Sequence, residues 1–211
     1  MKYSVIILCA GSGSRTGLSY NKIFHKIKGK TVYEQTLDIF LNDQQCHQII
    51  VVTKESELSA IKNVVSDTKV TYVIGGKERQ DSVYENLQVV NSPYVMIHDG
   101  ARPFVEKKEI DELLKCLQSH KACLLMVPVK DTIKQVHNGK VVKTLARETL
   151  MQAQTPQAFA TEVIKEAYQK AKQVDYLATD DASLVETFSD IDVQVIMGSY
   201  LNKKITTKED L

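Results

Sequence analysis

Short apolar runs alternate with helix-patterned stretches along most of this chain, and that alternation leaves few folds open. Residues 5–9, 49–53, 70–74, 94–97 and 122–127 have the composition of strands, and residues 31–41, 55–65, 81–90 and 107–117 between them carry helical spacing. Strands that alternate with helices pair in parallel through right-handed crossovers. The expected class is therefore α/β, a doubly wound, mostly parallel sheet with helices on both faces. The first run, V-I-I-L-C, is apolar throughout, as a strand buried on both faces requires. In such sheets ligands bind beyond the carboxyl ends of the strands, so the polar clusters that follow each run are where function is to be sought.

The first cluster is the most informative. Residues 10–22 read A-G-S-G-S-R-T-G-L-S-Y-N-K. Gly11, Gly13 and Gly17 give G-x-G-x-x-x-G, which is neither the dinucleotide fingerprint G-x-G-x-x-G nor a Walker loop. The glycines alone fit a tight strand-to-helix turn as well as a ligand loop. Arg15 and Lys22 tip the balance towards an anion site, because they add two full positive charges to a backbone that can turn its N–H groups inward.

Later clusters repeat the pattern. Residues 75–82, G-G-K-E-R-Q-D-S, read either as a turn opening a helix or as a second ligand edge with the Ser82 hydroxyl. Residues 98–104, H-D-G-A-R-P-F, place Asp99 and Arg102 three apart: a local ion pair, or a carboxylate for a divalent cation or substrate hydroxyl beside a guanidinium for phosphate. Residues 132–136 and 140–145 flank His137-Asn138-Gly139, and Asn-Gly between two β-like runs is a hairpin signal. A lone hairpin is barely stable in water, so this one is expected to be an arm, at about residues 132–150, that packs on a second copy of the chain. Q-T-P-Q at 154–157 returns the chain to the sheet, and residues 162–172 form an amphipathic helix. Thr179-Asp180-Asp181 reads as a helix cap whose carboxylates complement the dipole. A last strand spans 193–197, and residues 209–211 resemble the first turn of a helix whose remainder lies beyond the sequence.

Composition sets the outer limits. A chain of 211 residues can bury a sizeable core as one domain, residues 1–211, carrying the arm. A net charge of +1 gives no global attraction to nucleic acid or anionic membrane, so anion recognition has to be local. No secretory n-region and no bilayer-length apolar stretch is seen, and Cys9, Cys46, Cys116 and Cys123 form no C-x-x-C pair. A soluble, cytoplasmic protein with reduced, buried thiols is expected.

Seven motifs then converge. C-A-G-S-G-S-R…N-K, G-G-K-E-R-Q-D-S-V, H-D-G-A-R-P-F, V-P-V-K-D-T-I-K, Q-T-P-Q-A-F, T-D-D-A-S-L-V-E and N-K-K-I-T-T-K-E-D-L, in this order, closely resemble the 2-C-methyl-D-erythritol 4-phosphate cytidylyltransferases of the non-mevalonate isoprenoid pathway. Ribitol-5-phosphate cytidylyltransferases share much of the pattern. The resemblance implies a Rossmann-like three-layer nucleotidyltransferase fold, a homodimer joined through the β-arm, Mg²⁺ as cofactor, and CTP and a small polyol phosphate as substrates. By that resemblance Arg15 and Lys22 stabilise the transition state. Ala10, Gly11, Gly13, Gly76 and Ser82 bind the nucleotide. Asp99, Arg102, Thr132, Arg147, Thr155, Thr179 and Lys204 hold the acceptor, with Arg147 and Lys204 also catalytic, and Asp99 is the candidate metal ligand. The counterparts of Thr132 and Arg147 reach the neighbouring subunit's site from the arm.

The chain departs from the family pattern at four places: Cys9 for a small Ala, Thr16 for Met, Asn21 for Pro, and Lys77 for an acidic residue. Two other classes fit the residues less well. A module that binds CTP without transferring it does not need both cations and the Asp99/Arg102 pair. A nicotinamide-dependent dehydrogenase needs the third glycine elsewhere.

Overall fold

The computed structural model describes residues 1–11, 16–65 and 67–211. In chain order its elements are β1 (Tyr3–Leu8), the short β2 (Lys26–Ile27) and β3 (Lys30–Thr31), α1 (Val32–Leu41), β4 (Cys46–Thr53), α2 (Leu58–Lys62), β5 (Val70–Ile74), α3 (Arg79–Leu87) and β6 (Tyr94–Asp99). There follow α4 (Lys107–Cys116), β7 (Ala122–Pro128), β8 (Lys134–His137), β9 (Lys140–Thr144), β10 (Met151–Ala160), α5 (Thr161–Gln173), α6 (Asp181–Phe188) and β11 (Gln194–Met197).

Seven strands form one sheet in the order β11-β7-β10-β6-β1-β4-β5. All pairings are parallel except those of β10, which runs antiparallel to both β6 and β7. The chain winds outward from β1 to β4 and β5, then crosses back to β6 on the other side of β1. The strand order therefore reverses between β1 and β6, and a crevice opens at their carboxyl ends.

Each face of the sheet has its own apolar core. Val5, Ile7, Ile49, Val51 and Met96 point to the face covered by α1, α2 and α4, through Leu37, Phe40, Ile61, Ile110 and Leu113. Ile6, Ile50, Val52, Val95 and Ile97 point to the other, covered by α3, α5 and α6 through Val83, Leu87, Ile164, Leu184 and Val185. Consecutive residues of one strand serve opposite cores, which is why the central runs are apolar throughout.

The helix starts follow local chemistry. Thr31 caps α1 through a reciprocal box: the Glu34 amide donates to Thr31 Oγ1 at 3.1 Å, and the Thr31 amide donates to Glu34 Oε2 at 2.6 Å. The helix expected over 55–65 is a 3-10 turn, Glu55–Glu57, followed by α2 alone. Ile61 is the one residue these two elements bury fully, so packing holds little more than a turn in place. The β2–β3 hairpin, which the sequence reading did not anticipate, turns on Lys28 (φ 53°) and Gly29 (φ 88°).

The Asn-Gly hairpin forms as expected, with Asn138 at φ 48° and Gly139 at φ 74°. β8 and β9 make a separate two-stranded sheet with every residue exposed. The four cysteines are unpaired; Cys9, Cys46 and Cys123 are buried and Cys116 is half-buried. No helix among the described residues is long and apolar enough to cross a membrane. The chain end forms a 3-10 turn, Lys208–Asp210.

Candidate functional site

A cavity of about 530 Å³ opens over the crevice between β1 and β6. Ala10, Gly11, Lys22, Gly76, Ser82, Asp99 and Lys204 all line it. Four segments that are far apart in sequence thus meet where the topology predicts a ligand.

The side of the cavity at the end of β1 combines backbone with two polar side chains. The Cys9 amide donates to the Val52 carbonyl at 2.8 Å, extending the β1–β4 ladder to the threshold of Ala10. Lys22 opens a 3-10 turn and is 8% exposed, so its charge lies within the wall of the cavity. Asn21 sets that turn: its carboxamide donates to the Cys9 carbonyl (3.1 Å) and to Glu57 Oε2 (2.9 Å), and accepts from the Ile23 amide (3.3 Å). The Asn21 side chain therefore fastens Lys22 to the end of β1. Across the cavity the Gly76 amide donates to Ser82 Oγ at 2.9 Å, and Ser82 Oγ donates to the Glu78 carbonyl at 3.1 Å. The Ser82 hydroxyl shapes the glycine loop from within.

The opposite side is a charge cluster. Asp99 Oδ2 lies 2.9 Å from Lys204 Nζ and 3.4 Å from Arg102 Nε. Arg102 Nη1 donates to the Asn202 carbonyl at 2.7 Å, and the Ile205 amide donates to the Ala101 carbonyl at 2.8 Å, which lays the Lys204 segment beside the Asp99 loop. Burial works to raise the Asp99 carboxyl, but Lys204, Arg79 and Arg102 outweigh it and hold it well below the usual carboxylate range. Thr155, on β10, accepts from the Asp99 amide at 3.0 Å and lies 3.0 Å from His98 Nδ1. His98 is fully buried and packs edge-on against Phe40; burial pushes its imidazole down to about 4, so the ring is neutral at pH 7.

Among the described residues no three His, Cys, Asp or Glu side chains gather around a point that could hold a metal ion. Asp99 and Glu78 are the two carboxylates among the residues that line the cavity. That sparse donor set fits Mg²⁺, which keeps several waters and takes one or two carboxylates together with substrate phosphates.

Other predicted residues are placed apart from the cavity. Thr132 and Arg147 stand exposed at the base of the arm, where Arg147 Nη1 donates to the Lys130 carbonyl at 2.8 Å. Thr179 is exposed just before α6. Gly13 and Arg15 lie outside the described residues.

Among the polar residues of the cavity, sequence reasoning gave no role to Lys54, Glu78, Arg79 or Thr206. Arg79 donates two bonds to Asp181, at 3.0 and 2.6 Å, and Tyr168 donates a third to the same carboxylate. Of the two acids read together as a cap, only Asp180 caps α6, by accepting from the Ser183 amide at 3.0 Å. Asp181 is fully buried and serves as the counter-ion that aims Arg79 at the cavity. The signal was the doubled acid, since a cap needs one.

Gly100 shows how closely the two central loops meet. A Cβ there would overlap Cys9 Sγ and stand 2.9 Å from the Leu8 carbonyl oxygen, which already accepts from the Gly100 amide at 2.9 Å. Gly100→Ala is expected to cost about 2 kcal/mol. Adding Cys9→Ala should recover only part of that, because the carbonyl contact persists. Thermal melts of the two variants check this; a single Gly100→Ala as stable as the parent would contradict it.

The comparisons with known proteins agree with this geometry. A family model described as 2-C-methyl-D-erythritol 4-phosphate cytidylyltransferase matches residues 3–211. The chain is 43% identical to the protein of that name from Halalkalibacterium halodurans, over 100% of this chain and 94% of the relative. It is 45% identical to the one from Bacillus cytotoxicus, over 99% and 94%. The solved structure of 4-diphosphocytidyl-2C-methyl-D-erythritol synthase from Anaerococcus prevotii superposes with a TM-score of 0.89 at 34% identity, covering 99% of this chain and 92% of that one. The Francisella tularensis cytidylyltransferase gives 0.85 at 33% identity, covering 100% and 96%.

Proposed function

The chain belongs to the 2-C-methyl-D-erythritol 4-phosphate cytidylyltransferase family, and from that premise we propose how its residues divide the work. The reaction joins CTP and 2-C-methyl-D-erythritol 4-phosphate to give 4-diphosphocytidyl-2-C-methyl-D-erythritol and pyrophosphate, a step of isoprenoid biosynthesis. A phosphate oxygen of the acceptor forms a new bond to the α-phosphorus of CTP as the bond to the departing pyrophosphate breaks. Two anions must be brought together, so catalysis is placement and charge neutralisation, and no covalent nucleophile is called for.

Lys22, with Arg15, neutralises charge that builds on the α-phosphate. The backbone at Ala10, Gly11, Gly13 and Gly76, the last held by Ser82, takes the cytidine. Asp99, Arg102, Thr155, Thr179 and Lys204 take the acceptor, joined by Thr132 and Arg147 from an arm. Asp99 would be the protein's ligand to Mg²⁺, which would supply charge neutralisation at the triphosphate. The protein works in the cytoplasm, where its nucleotide substrate is made. The observation that carries this reading is the single cavity that unites buried Lys22 with the Asp99–Lys204 pair. Assays with CTP and either methylerythritol phosphate or ribitol 5-phosphate test it. Pyrophosphate release is expected with the first acceptor; equal or faster release with the second would overturn the assignment.

The arm is read as the contact of a homodimer, on the strength of Val136, Val141 and Val142, which are 56, 62 and 61% exposed on a hairpin that covers no core of its own. If Arg147 serves the neighbouring site, dissociating and reassembling inactive Lys22→Ala and Arg147→Ala chains restores one intact site per heterodimer. Heterodimers without recovered turnover would count against an arm that works in trans.

A further inference from the structure

The turn that carries both Asp99 and Arg102 is clamped at its two ends by one buried ring. Residues 99–102 close through the Arg102 amide, which donates to the Asp99 carbonyl at 3.0 Å. His98 Nε2 lies 3.1 Å from the Arg102 carbonyl. A carbonyl only accepts, so Nε2 carries the ring proton, and the neutral imidazole then presents a lone pair at Nδ1. Thr155 Oγ1 donates to that lone pair at 3.0 Å and itself accepts from the Asp99 amide at 3.0 Å. Every donor and acceptor in the chain from the Asp99 amide through Thr155 and His98 to the Arg102 carbonyl is thereby fixed in one direction.

We propose that His98 is a positioning residue for the acceptor phosphate: by holding both ends of the 99–102 turn it sets the directions in which Asp99 and Arg102 leave the backbone. Phe40 fixes the ring from its edge, with centroids 5.3 Å apart. A second tie runs through Asn202, whose Nδ2 donates to the Thr155 carbonyl at 2.9 Å while its own carbonyl accepts from Arg102 Nη1 at 2.7 Å. The ring touches no part of the cavity, so its effect on substrate passes through the turn. The inference rests on the reading of Arg102 as an acceptor-binding residue.

The test compares His98→Leu, which keeps neither bond, with His98→Gln, whose amide places a donor within reach of the Arg102 carbonyl. KM for methylerythritol phosphate, KM for CTP, kcat and Tm are measured for each, beside an Arg102→Met control. The Leu variant is expected to raise the acceptor KM about tenfold or more and to leave the CTP KM within about threefold, with the Gln variant in between. A ring that merely fills the core would lower Tm and the active fraction and leave both KM values alone. That result, or equal rises in the two KM values, overturns the proposal. If Arg102→Met raises the acceptor KM and neither His98 variant does, the proposal fails while the reading of Arg102 stands; if none of the three moves it, both fall. Should His98→Leu not fold, His98→Gln decides, through a selective rise in the acceptor KM or its absence.

Discussion

Lys22→Ala is expected to lower turnover at least about 100-fold, because one preorganised charge at a developing phosphoryl transition state is commonly worth about 3 kcal/mol or more. The size of the effect comes from where the ammonium sits. It lines the cavity at 8% exposure, on a 3-10 turn that Asn21 ties to the end of β1 and to Glu57. Water replaces such a charge poorly, since it cannot be held in a fixed direction without reorganising during the reaction. Steady-state rates at saturating CTP and acceptor give the measurement. A variant within tenfold of its parent would remove Lys22 from the mechanism.

Asp99→Asn is the second large effect. The substitution keeps the shape and removes the charge that balances Lys204 and Arg102. Turnover should fall about 100-fold as the two cations lose their common direction, and stability by about 2 kcal/mol, a figure below that of a fully buried pair because the Lys204 side chain is 37% exposed. The pH dependence carries a definite sign. The Asp99 carboxyl titrates below its unfolded value, so its contribution is complete above about pH 4 and is lost as the pH falls through the native value. Melts in the presence of a chelator should therefore show a constant gap between parent and Asp99→Asn from pH 7 to about pH 5, and a gap that closes in stronger acid. A gap that widened towards low pH would mean that Asp99 is not held ionised by its neighbours.

Much of this architecture could be read from the residues because the two periodicities are strong. The buried runs at 5–9 and 94–97 fall largely in β1 and β6, and the polar residues that follow them supplied Lys22 and Asp99. What could not be read is whatever depends on partners far apart in the chain. Nothing in Q-T-P-Q reveals that β10 runs antiparallel between β6 and β7, because pairing is decided by strands that lie elsewhere. Asp181 looks like a cap until Arg79, 102 residues away, is seen beside it. His98 stood in the reading only as a letter in H-D-G-A-R-P-F, although its two ring nitrogens join β6, β10 and the turn between them. The short hairpin at Lys28 and Gly29 was overlooked because its turn lacks the Asn or Asp that usually announces such geometry.

The contact between Gly100 and Cys9 bears on how such a chain can vary over time. Where two loops of a site lie close enough that one methyl group is too many, neither position drifts alone. A larger residue at 100 becomes tolerable only after position 9 has shrunk and the Leu8 peptide has moved aside, so the order of substitutions matters as much as their identity. A change such as Cys9→Ala therefore comes first, with any side chain at 100 arriving afterwards.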